Sequence, residues 1–159
     1  NASLQLCSRD KSLKERFQNS GFFNKTINSH SIFFTSSLKD LTDSDLIIES
    51  TFEDYKVKNK VFSDLYNLKY KKPILSNTSV LDLKKMHNNL NYPNNFFGVH
   101  FFNPAYRSKS IEISKFENSS AELFDEVLNF LNLLDKKVLK MDFVQGYAIN
   151  RILAFQLHE

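Results

Sequence analysis

Short apolar runs alternate along this chain with segments whose apolar residues recur at helical spacing. Seven apolar runs predict strands, at residues 4–7, 31–36, 45–50, 72–79, 96–102, 110–116 and 137–142. Helical periodicity lies between them, at residues 12–20, 57–68, 81–90 and 119–134, and a further helix is predicted from Gly146 onward. Strands that alternate with helices in this way predict an α/β fold with a parallel sheet.

Two of the predicted helices carry a capping signal at the N-terminus. Asp54 lies just before the helical pattern at 57–68, where a carboxylate accepts hydrogen bonds from free backbone N–H groups. Ser119 and Glu122 have the spacing of a capping box ahead of the amphipathic pattern at 123–134. These signals predict where both helices begin.

Ligand sites in a parallel α/β sheet gather at the carboxyl ends of the strands. Polar side chains follow three successive predicted strands. They are Glu49 and Glu53, then Asn77 and Ser79, and then His100 and Asn103. We therefore expect the chemistry of the chain to lie at this edge of the sheet.

Length, cysteine usage and charge exclude several classes of function. The 159 residues suit one domain, and no apolar run approaches the roughly 18 residues of a membrane span. The single cysteine, Cys7, excludes an internal disulfide and a cysteine-rich zinc site. It fits a reducing compartment, either the cytoplasm or, in a eukaryote, the mitochondrial matrix. No spacing of metal ligands is present.

The net charge of +3 does not by itself indicate binding of nucleic acid. A nucleic-acid site would need lysines in one groove, interleaved with aromatic residues. The lysines are instead dispersed around a helix and its end, and we interpret them as solvent-facing charges: Lys56, Lys58, Lys60, Lys69, Lys71 and Lys72.

His100 lies near the end of the very apolar strand "FFGVHFFNP", residues 96–104. It is either a core histidine bonded to a backbone carbonyl or a functional group. Its position at a carboxyl edge, just before Asn-Pro, favours function, because imidazole exchanges its proton near neutral pH.

Glu112 follows twelve residues later in "SIEI". Period two places it on the face opposite Ile111 and Ile113. It is either an exposed strand carboxylate or, if its strand folds back beside His100, a group that orients the imidazole and stabilises its cation.

Three further polar residues allow a local interpretation. Asn77 and Ser79 in "SNTS" are typical of turns and caps, and Asn150 in "GYAINR" is typical of a solvated helix face. Ser79 has no G-x-S-x-G pattern around it, so a hydrolase is not favoured.

Five segments together carry much more information than any one of them. In order they are "DSDLIIESTFEDYKVKNKVFSDL", "ILSNTSVLDL", "FFGVHFFNP", "SIEI" and "QGYAINRIL". This set resembles the 3-hydroxyacyl-CoA dehydrogenase family over nearly the whole chain, most specifically in "HFFNP" and "GYAINR". The resemblance implies a Rossmann-type, doubly wound, mostly parallel sheet and NAD-dependent oxidation of the 3-hydroxyl of an acyl-CoA thioester, as in fatty acid β-oxidation.

The resemblance also implies roles for individual residues. His100 would be the base that takes the hydroxyl proton, and Glu112 would hold and compensate its ring. Ser79 and Asn150 would hydrogen-bond the reacting oxygen. Dinucleotide contacts would come from Glu53, Lys58 and Asn103, together with Ser79.

The chain departs from the family pattern at its N-terminal end. It has three glycines, Gly21, Gly98 and Gly146, and none of them belongs to the G-x-G-x-x-G loop that seats a pyrophosphate. We therefore expect the sheet to lack its first strand and the chain alone to bind dinucleotide poorly and to be inactive. Ser8 and Arg9 lie where an acid usually grips the ribose, and because Arg can accept a 2′-phosphate, NADP is an alternative to NAD.

Other departures concern the C-terminal end and the substrate. We expect an incomplete dinucleotide-binding domain at 1–144 and, at 145–159, the first helix of a C-terminal helical domain that completes the cleft and forms a homodimer. Tyr106, Arg107 and Gln145 differ from the usual acyl-CoA pattern. A dehydrogenase of a small free 3-hydroxy acid, of the gulonate or carnitine type, and a non-catalytic protein that kept the fold therefore remain alternatives.

Overall fold

A computed structural model describes residues 3–19, 32–88, 90, 93–148 and 151–152 of the chain. The chain divides into two compact units, Asn1–Ser44 and Asp45–Glu159. The predicted boundary between residues 144 and 145 is a different one and stays a prediction.

The smaller unit contains a parallel pair of strands. β1 (Leu4–Cys7) pairs with β2 (Ile32–Thr35), and α1 (Leu13–Asn19) follows β1. A 3-10 turn, Leu38–Leu41, follows β2. The two strands and the helix lie where the apolar pattern predicts them.

The larger unit is a five-stranded sheet with helices in its connections. Its strands lie in the order β3 (Ile47–Glu49), β4 (Ile74–Asn77), β5 (Phe96–Phe101), β6 (Ser110–Lys115) and β7 (Lys137–Asp142). The helices described in this unit include α2 (Tyr55–Asn67), α3 (Leu83–His87) and α4 (Ala121–Asn132). β3, β4 and β5 are mutually parallel, β6 is antiparallel to β5, and β7 is parallel to β6. The predicted α/β class with a mostly parallel sheet is confirmed.

The strand period separates two faces of β5 and β6. Phe97 and Val99 on β5 and Ile111 and Ile113 on β6 are fully buried in one cluster with the apolar side chains of α4. Each such side chain stabilises the fold by about 1.5–3 kcal/mol through its burial. The alternate residues, among them His100 and Glu112, therefore lie on the other face of the sheet. The apolar core holds the strands that present the polar pair.

The helix caps agree with the sequence in one case and differ in the other. Asp54 caps α2, with its Oδ1 accepting hydrogen bonds from the backbone N–H groups of Lys56 at 2.8 Å and Val57 at 3.0 Å. The cap of α4 is Ser120, whose Oγ accepts from Leu123 N, and not Ser119 as predicted. Ser119 was the wrong residue because its Oγ accepts instead from the backbone N–H of Phe116, closing the turn after β6.

Gly98 lies in the middle of β5, where a glycine usually weakens a strand. A Cβ at this position would lie 2.4 Å from Ser114 Oγ, 2.6 Å from Leu83 Cδ1 and 2.8 Å from Tyr147 Oη. The absent side chain therefore makes room for three neighbours on the face of the sheet that carries His100.

Within the described ranges, no helix is long and apolar enough to cross a membrane. The same residues contain no group of three or more His, Cys, Asp or Glu side chains that could hold a metal ion.

Candidate active site

His100 and Glu112 form a hydrogen-bonded pair across two antiparallel strands. They are register partners on β5 and β6, and Nδ1 of His100 lies 2.9 Å from Oε2 of Glu112. Glu112 is fully buried, whereas 7% of the His100 side chain is exposed. The exposed-carboxylate interpretation of Glu112 is therefore wrong, because the strand pairing turns this side chain toward His100. The imidazole is almost covered but is not sealed from solvent.

A short connection fixes the register of the pair. After β5 the chain turns at Pro104, whose carbonyl accepts hydrogen bonds from the N–H groups of Arg107 and Ser108. The Lys136 Nζ, from the segment before β7, donates to the carbonyls of Ala105, at 2.7 Å, and of Ser108. A one-residue slip would move His100 to the other face, so this turn is what places it opposite Glu112.

The hydrogen bonds of Glu112 determine where the imidazole proton lies. Glu112 Oε1 accepts the backbone N–H of Ala148 at 3.0 Å, and Oε2 faces His100. An ionised carboxylate has only acceptors, so Nδ1 of His100 must be the donor. Nε2 of a neutral ring then carries the lone pair, which makes Nε2 the atom that can take up a proton.

Aromatic rings pack around the imidazole. The ring of Phe102 lies 4.5 Å from that of His100, centroid to centroid, and the ring of Tyr147 stacks on it at 5.1 Å with an interplanar angle of 26°. Apolar neighbours exclude water, and they strengthen the electrostatic interaction between the ring and Glu112.

Glu53, predicted to contact the dinucleotide, anchors the loop after β4. Its Oε1 accepts hydrogen bonds from the hydroxyl of Thr78 and from the N–H groups of Ser79 at 2.8 Å and Val80 at 3.3 Å. Burial raises the pKa of Glu53, but these hydrogen bonds and the charge of Lys58 outweigh it and hold the pKa below its usual value. A carboxyl whose pKa is depressed in the folded state stabilises the fold when ionised, and that contribution is lost as the pH falls through the folded pKa.

Lys58 is fully buried, so its interpretation as a solvent-facing charge is wrong. Its Nζ lies 3.0 Å from each carboxylate oxygen of Glu49 and 3.6 Å from Glu53 Oε2. It also donates to the carbonyls of Thr51 and Asn77 at 3.3 and 3.1 Å. These partners tie the ends of β3 and β4 to the first turn of α2. The sequence did carry a signal for this burial, because position 58 precedes the buried Phe62 and Leu65 by four and seven residues.

Two asparagines lie at the carboxyl ends of their strands. The side chain of Asn77 joins neighbouring strand ends: Oδ1 accepts from Phe101 N, and Nδ2 donates to Ser50 Oγ, both at 3.3 Å. Ser79 follows β4 and Asn103 follows β5, the strand that carries His100, and both residues are exposed. Their predicted roles with substrate and dinucleotide stay predictions, as does that of Lys58.

Ser8 and Arg9 belong to the smaller unit and follow β1. Ser8 Oγ accepts from Asp10 N at 3.0 Å, and Arg9 is exposed. The nearby acid is already engaged, since Asp10 accepts from Ser12 and pairs with Arg16 at 2.7 Å. The hydrogen bonds from Ser12, with the charge of Arg16, hold the pKa of Asp10 below its usual value.

Asn150 lies outside the described residues, so its predicted contact with the reacting oxygen stays a prediction. Two residues just before it contact the pair, Tyr147 through its ring and Ala148 through its backbone N–H. Sequence reasoning missed both of them. "GYAINR" drew attention to Asn150, and no spacing rule indicates that the preceding residues reach His100 and Glu112.

Comparison with known proteins gives a family match over most of the chain. Residues 5–143 match the family model described as "3-hydroxyacyl-CoA dehydrogenase, NAD binding domain". A peroxisomal bifunctional enzyme of Cavia porcellus is 33% identical over 121 residues, which is 76% of this chain and 17% of that protein. A 3-hydroxybutyryl-CoA dehydrogenase of Clostridioides difficile is 33% identical over 126 residues, 79% of this chain and 45% of that protein. The chain thus spans less than half the length of these curated relatives.

Comparison with solved structures gives the same family name. The crystal structure of a 3-hydroxyacyl-CoA dehydrogenase from Archaeoglobus fulgidus superposes with a TM-score of 0.82 at 27% identity. The match covers 99% of this chain and 54% of that one. The fold of the chain is accordingly Rossmann-like.

Proposed function

Since this chain belongs to the family of 3-hydroxyacyl-CoA dehydrogenase NAD-binding domains, we propose that the full-length protein oxidises 3-hydroxyacyl-CoA to 3-ketoacyl-CoA with His100 as the general base. The observation that carries the proposal is the buried His100–Glu112 pair at a carboxyl edge of the sheet. Oxidation of an alcohol needs a proton acceptor at the hydroxyl while hydride leaves the same carbon.

The proton steps follow from the hydrogen bonds of the pair. Neutral His100 holds its proton on Nδ1 and accepts the substrate hydroxyl proton at Nε2. The resulting imidazolium is stabilised by the Glu112 carboxylate, which Ala148 N–H keeps in place. In the reverse direction the same imidazolium returns the proton to the ketone oxygen. Ser79 and Asn150 would hold that oxygen by hydrogen bonds.

The family is one of NAD-binding domains, and NAD is its cofactor. When bound, NAD supplies the nicotinamide ring that accepts the hydride. Ser79 and Asn103 have exposed polar side chains beside the end of β5, which suit contacts with the nicotinamide end of the dinucleotide. Glu53 would act here mainly by shaping the loop that carries Ser79. No G-x-G-x-x-G sequence is present in the chain to seat the pyrophosphate.

The choice between acyl-CoA and free acid is the first test of the proposal. With the protein at its full natural length, we expect acetoacetyl-CoA to drive oxidation of NADH and free acetoacetate to leave it at background. Binding energy from the remote CoA part of the substrate raises the rate at the reacting carbon. Faster turnover of the free acid, followed by absorbance at 340 nm, would instead support the small-acid alternative.

Several finer points remain part of the proposal. NADP in place of NAD would follow from Ser8 and Arg9, and the dissociation constants of the two dinucleotides would decide between them. The family resemblance also predicts a role in fatty acid β-oxidation and a homodimer formed through a C-terminal helical domain. We further propose a cytoplasmic or mitochondrial-matrix location. If the natural protein showed no turnover of either substrate, a non-catalytic role for the fold would be favoured.

A further inference from the structure

Tyr147 has a backbone conformation that its position does not readily explain. Three non-glycine residues among those described have positive φ: Lys69, Asp135 and Tyr147. Lys69 and Asp135 lie just beyond the C-terminal ends of α2 and α4, where left-handed residues are common. Tyr147 has φ of 52°, directly after Gly146 at 78°, and no helix ends there. A left-handed tyrosine is disfavoured, so tertiary contacts must hold it.

Those contacts are made by the ring of Tyr147. It is 1% exposed, and it stacks on His100 at 5.1 Å. Phe143 meets it edge-on at 6.4 Å. Its hydroxyl lies where a Cβ of residue 98 would intrude, 2.8 Å from that position. The glycine in the middle of β5 therefore has a function, which is to admit the tyrosine beside the histidine two residues further along the strand.

The same turn also fixes the other member of the pair. Ala148 follows Tyr147 directly, and its N–H donates to Glu112 Oε1 at 3.0 Å. One dipeptide thus contacts the imidazole through a ring and the carboxylate through a backbone donor. The left-handed conformation of Tyr147 directs its ring toward His100 and the Ala148 N–H toward Glu112.

We propose that residues 146–148 form a positioning turn that holds the His100–Glu112 pair in its reactive geometry, with Tyr147 as a positioning residue for the imidazole. The catalytic consequence rests on the proposed function, whereas the geometry does not. The stacked face limits rotation of the imidazole about its Cβ–Cγ bond. The Ala148 donor prevents Glu112 from turning its second oxygen toward the ring.

Two replacements of Tyr147 separate ring stacking from the hydroxyl. Tyr147→Phe keeps the aromatic face and removes only the oxygen, whereas Tyr147→Leu keeps apolar bulk and removes the face. Tyr147→Met serves instead of Tyr147→Leu if the leucine variant does not fold, since methionine adapts to irregular gaps.

The first readout is independent of activity. In proton NMR of the full-length natural protein, we expect the ring protons of His100 to be shifted upfield by the stacked aromatic face. Their resonances are identified by their loss in His100→Gln. The shift should persist in Tyr147→Phe and become smaller in Tyr147→Leu, in which Phe102 is still beside the imidazole. An unchanged shift in Tyr147→Leu would show that the rings do not stack and would overturn the proposal.

The second readout is the split between kcat and KM in the full-length natural protein with acetoacetyl-CoA and NADH. We expect Tyr147→Leu to lower kcat by about 10- to 100-fold, the effect of small misplacements of reacting groups, with little change in KM. Tyr147→Phe should keep most of the wild-type kcat. The proposal is overturned if Tyr147→Leu keeps full kcat although its NMR shift is reduced, or if Tyr147→Phe is as impaired as Tyr147→Leu. Absence of turnover in the wild-type protein would count against the proposed function and would leave the NMR result as the test of the turn.

Discussion

Glutamine in place of Glu112 is expected to lower kcat by about 10³-fold, within the range of general-base catalysis, while KM changes little. Glu112→Gln keeps the shape of the side chain. Its carbonyl oxygen can still accept Ala148 N–H, which leaves the amide NH₂ facing Nδ1 of His100. Two donors cannot share one hydrogen bond, so the proton of His100 moves to Nε2. The atom that should accept the substrate proton then already carries one.

A matched control separates this effect from a general loss of a carboxylate. Glu117 lies on the exposed turn after β6, five residues beyond Glu112. Glu117→Gln makes the same chemical change, and we expect it to leave kcat within about twofold, because exposed substitutions have small effects. Steady-state kinetics of the full-length natural protein in the direction of oxidation, with 3-hydroxybutyryl-CoA and NAD, measures both variants. A kcat for Glu112→Gln close to that of Glu117→Gln would contradict the assigned role of the carboxylate.

Loss of Lys58 is expected to have the largest effect on stability. Lys58→Met keeps an unbranched side chain of similar length and removes the charge. It leaves Glu49 buried without its cation, and breaking a buried pair in this way typically costs about 3–5 kcal/mol. The network around Lys58 also includes Glu53 and the carbonyls of Thr51 and Asn77, which lose their donor. Urea titration of the 159-residue chain, followed by circular dichroism, gives the free energy of unfolding.

Two comparisons make this result specific. Lys60→Met removes an exposed lysine that pairs with Asp64 at the surface, and we expect a change within about 0.5 kcal/mol. The double replacement Glu49→Gln with Lys58→Met removes both charges and should recover part of the loss, because the uncompensated buried charge is gone. If Lys58→Met were as stable as Lys60→Met, the buried pair would not be holding the strand ends together.

The positions of the strands and the face on which Glu112 lies were predictable from the sequence because they depend on local periodicity. Period two in "SIEISKF" assigns Glu112 to the face opposite Ile111 and Ile113, and the structure has this arrangement. A buried carboxylate on that face needs a partner, and the antiparallel return of β6 supplies His100. The meeting of His100 and Glu112 therefore follows once β5 and β6 pair.

The remaining features depend on contacts that periodicity does not encode. Lysine is rarely buried, which favours a surface charge at position 58, although the spacing of Lys58 to Phe62 and Leu65 marks the buried face. A strand-end position for Glu53 does not reveal whether its carboxylate faces a ligand or the backbone amides of its own chain. The left-handed conformation of Tyr147 is held by a ring packed against β5, far away in sequence. The shift of the cap from Ser119 to Ser120 reflects competition between two neighbouring hydroxyls.

The most direct test of the central claim is the turnover of acetoacetyl-CoA with NADH by His100→Gln in the full-length natural protein, compared with the wild type. Glutamine fits a site of this size but cannot exchange a proton near neutral pH. Our account predicts a loss of about 10²- to 10⁴-fold in kcat, the usual contribution of a general acid–base group, with the dissociation constant of NADH little changed. Equal kcat values for the two proteins would contradict it, because proton transfer would then not pass through His100.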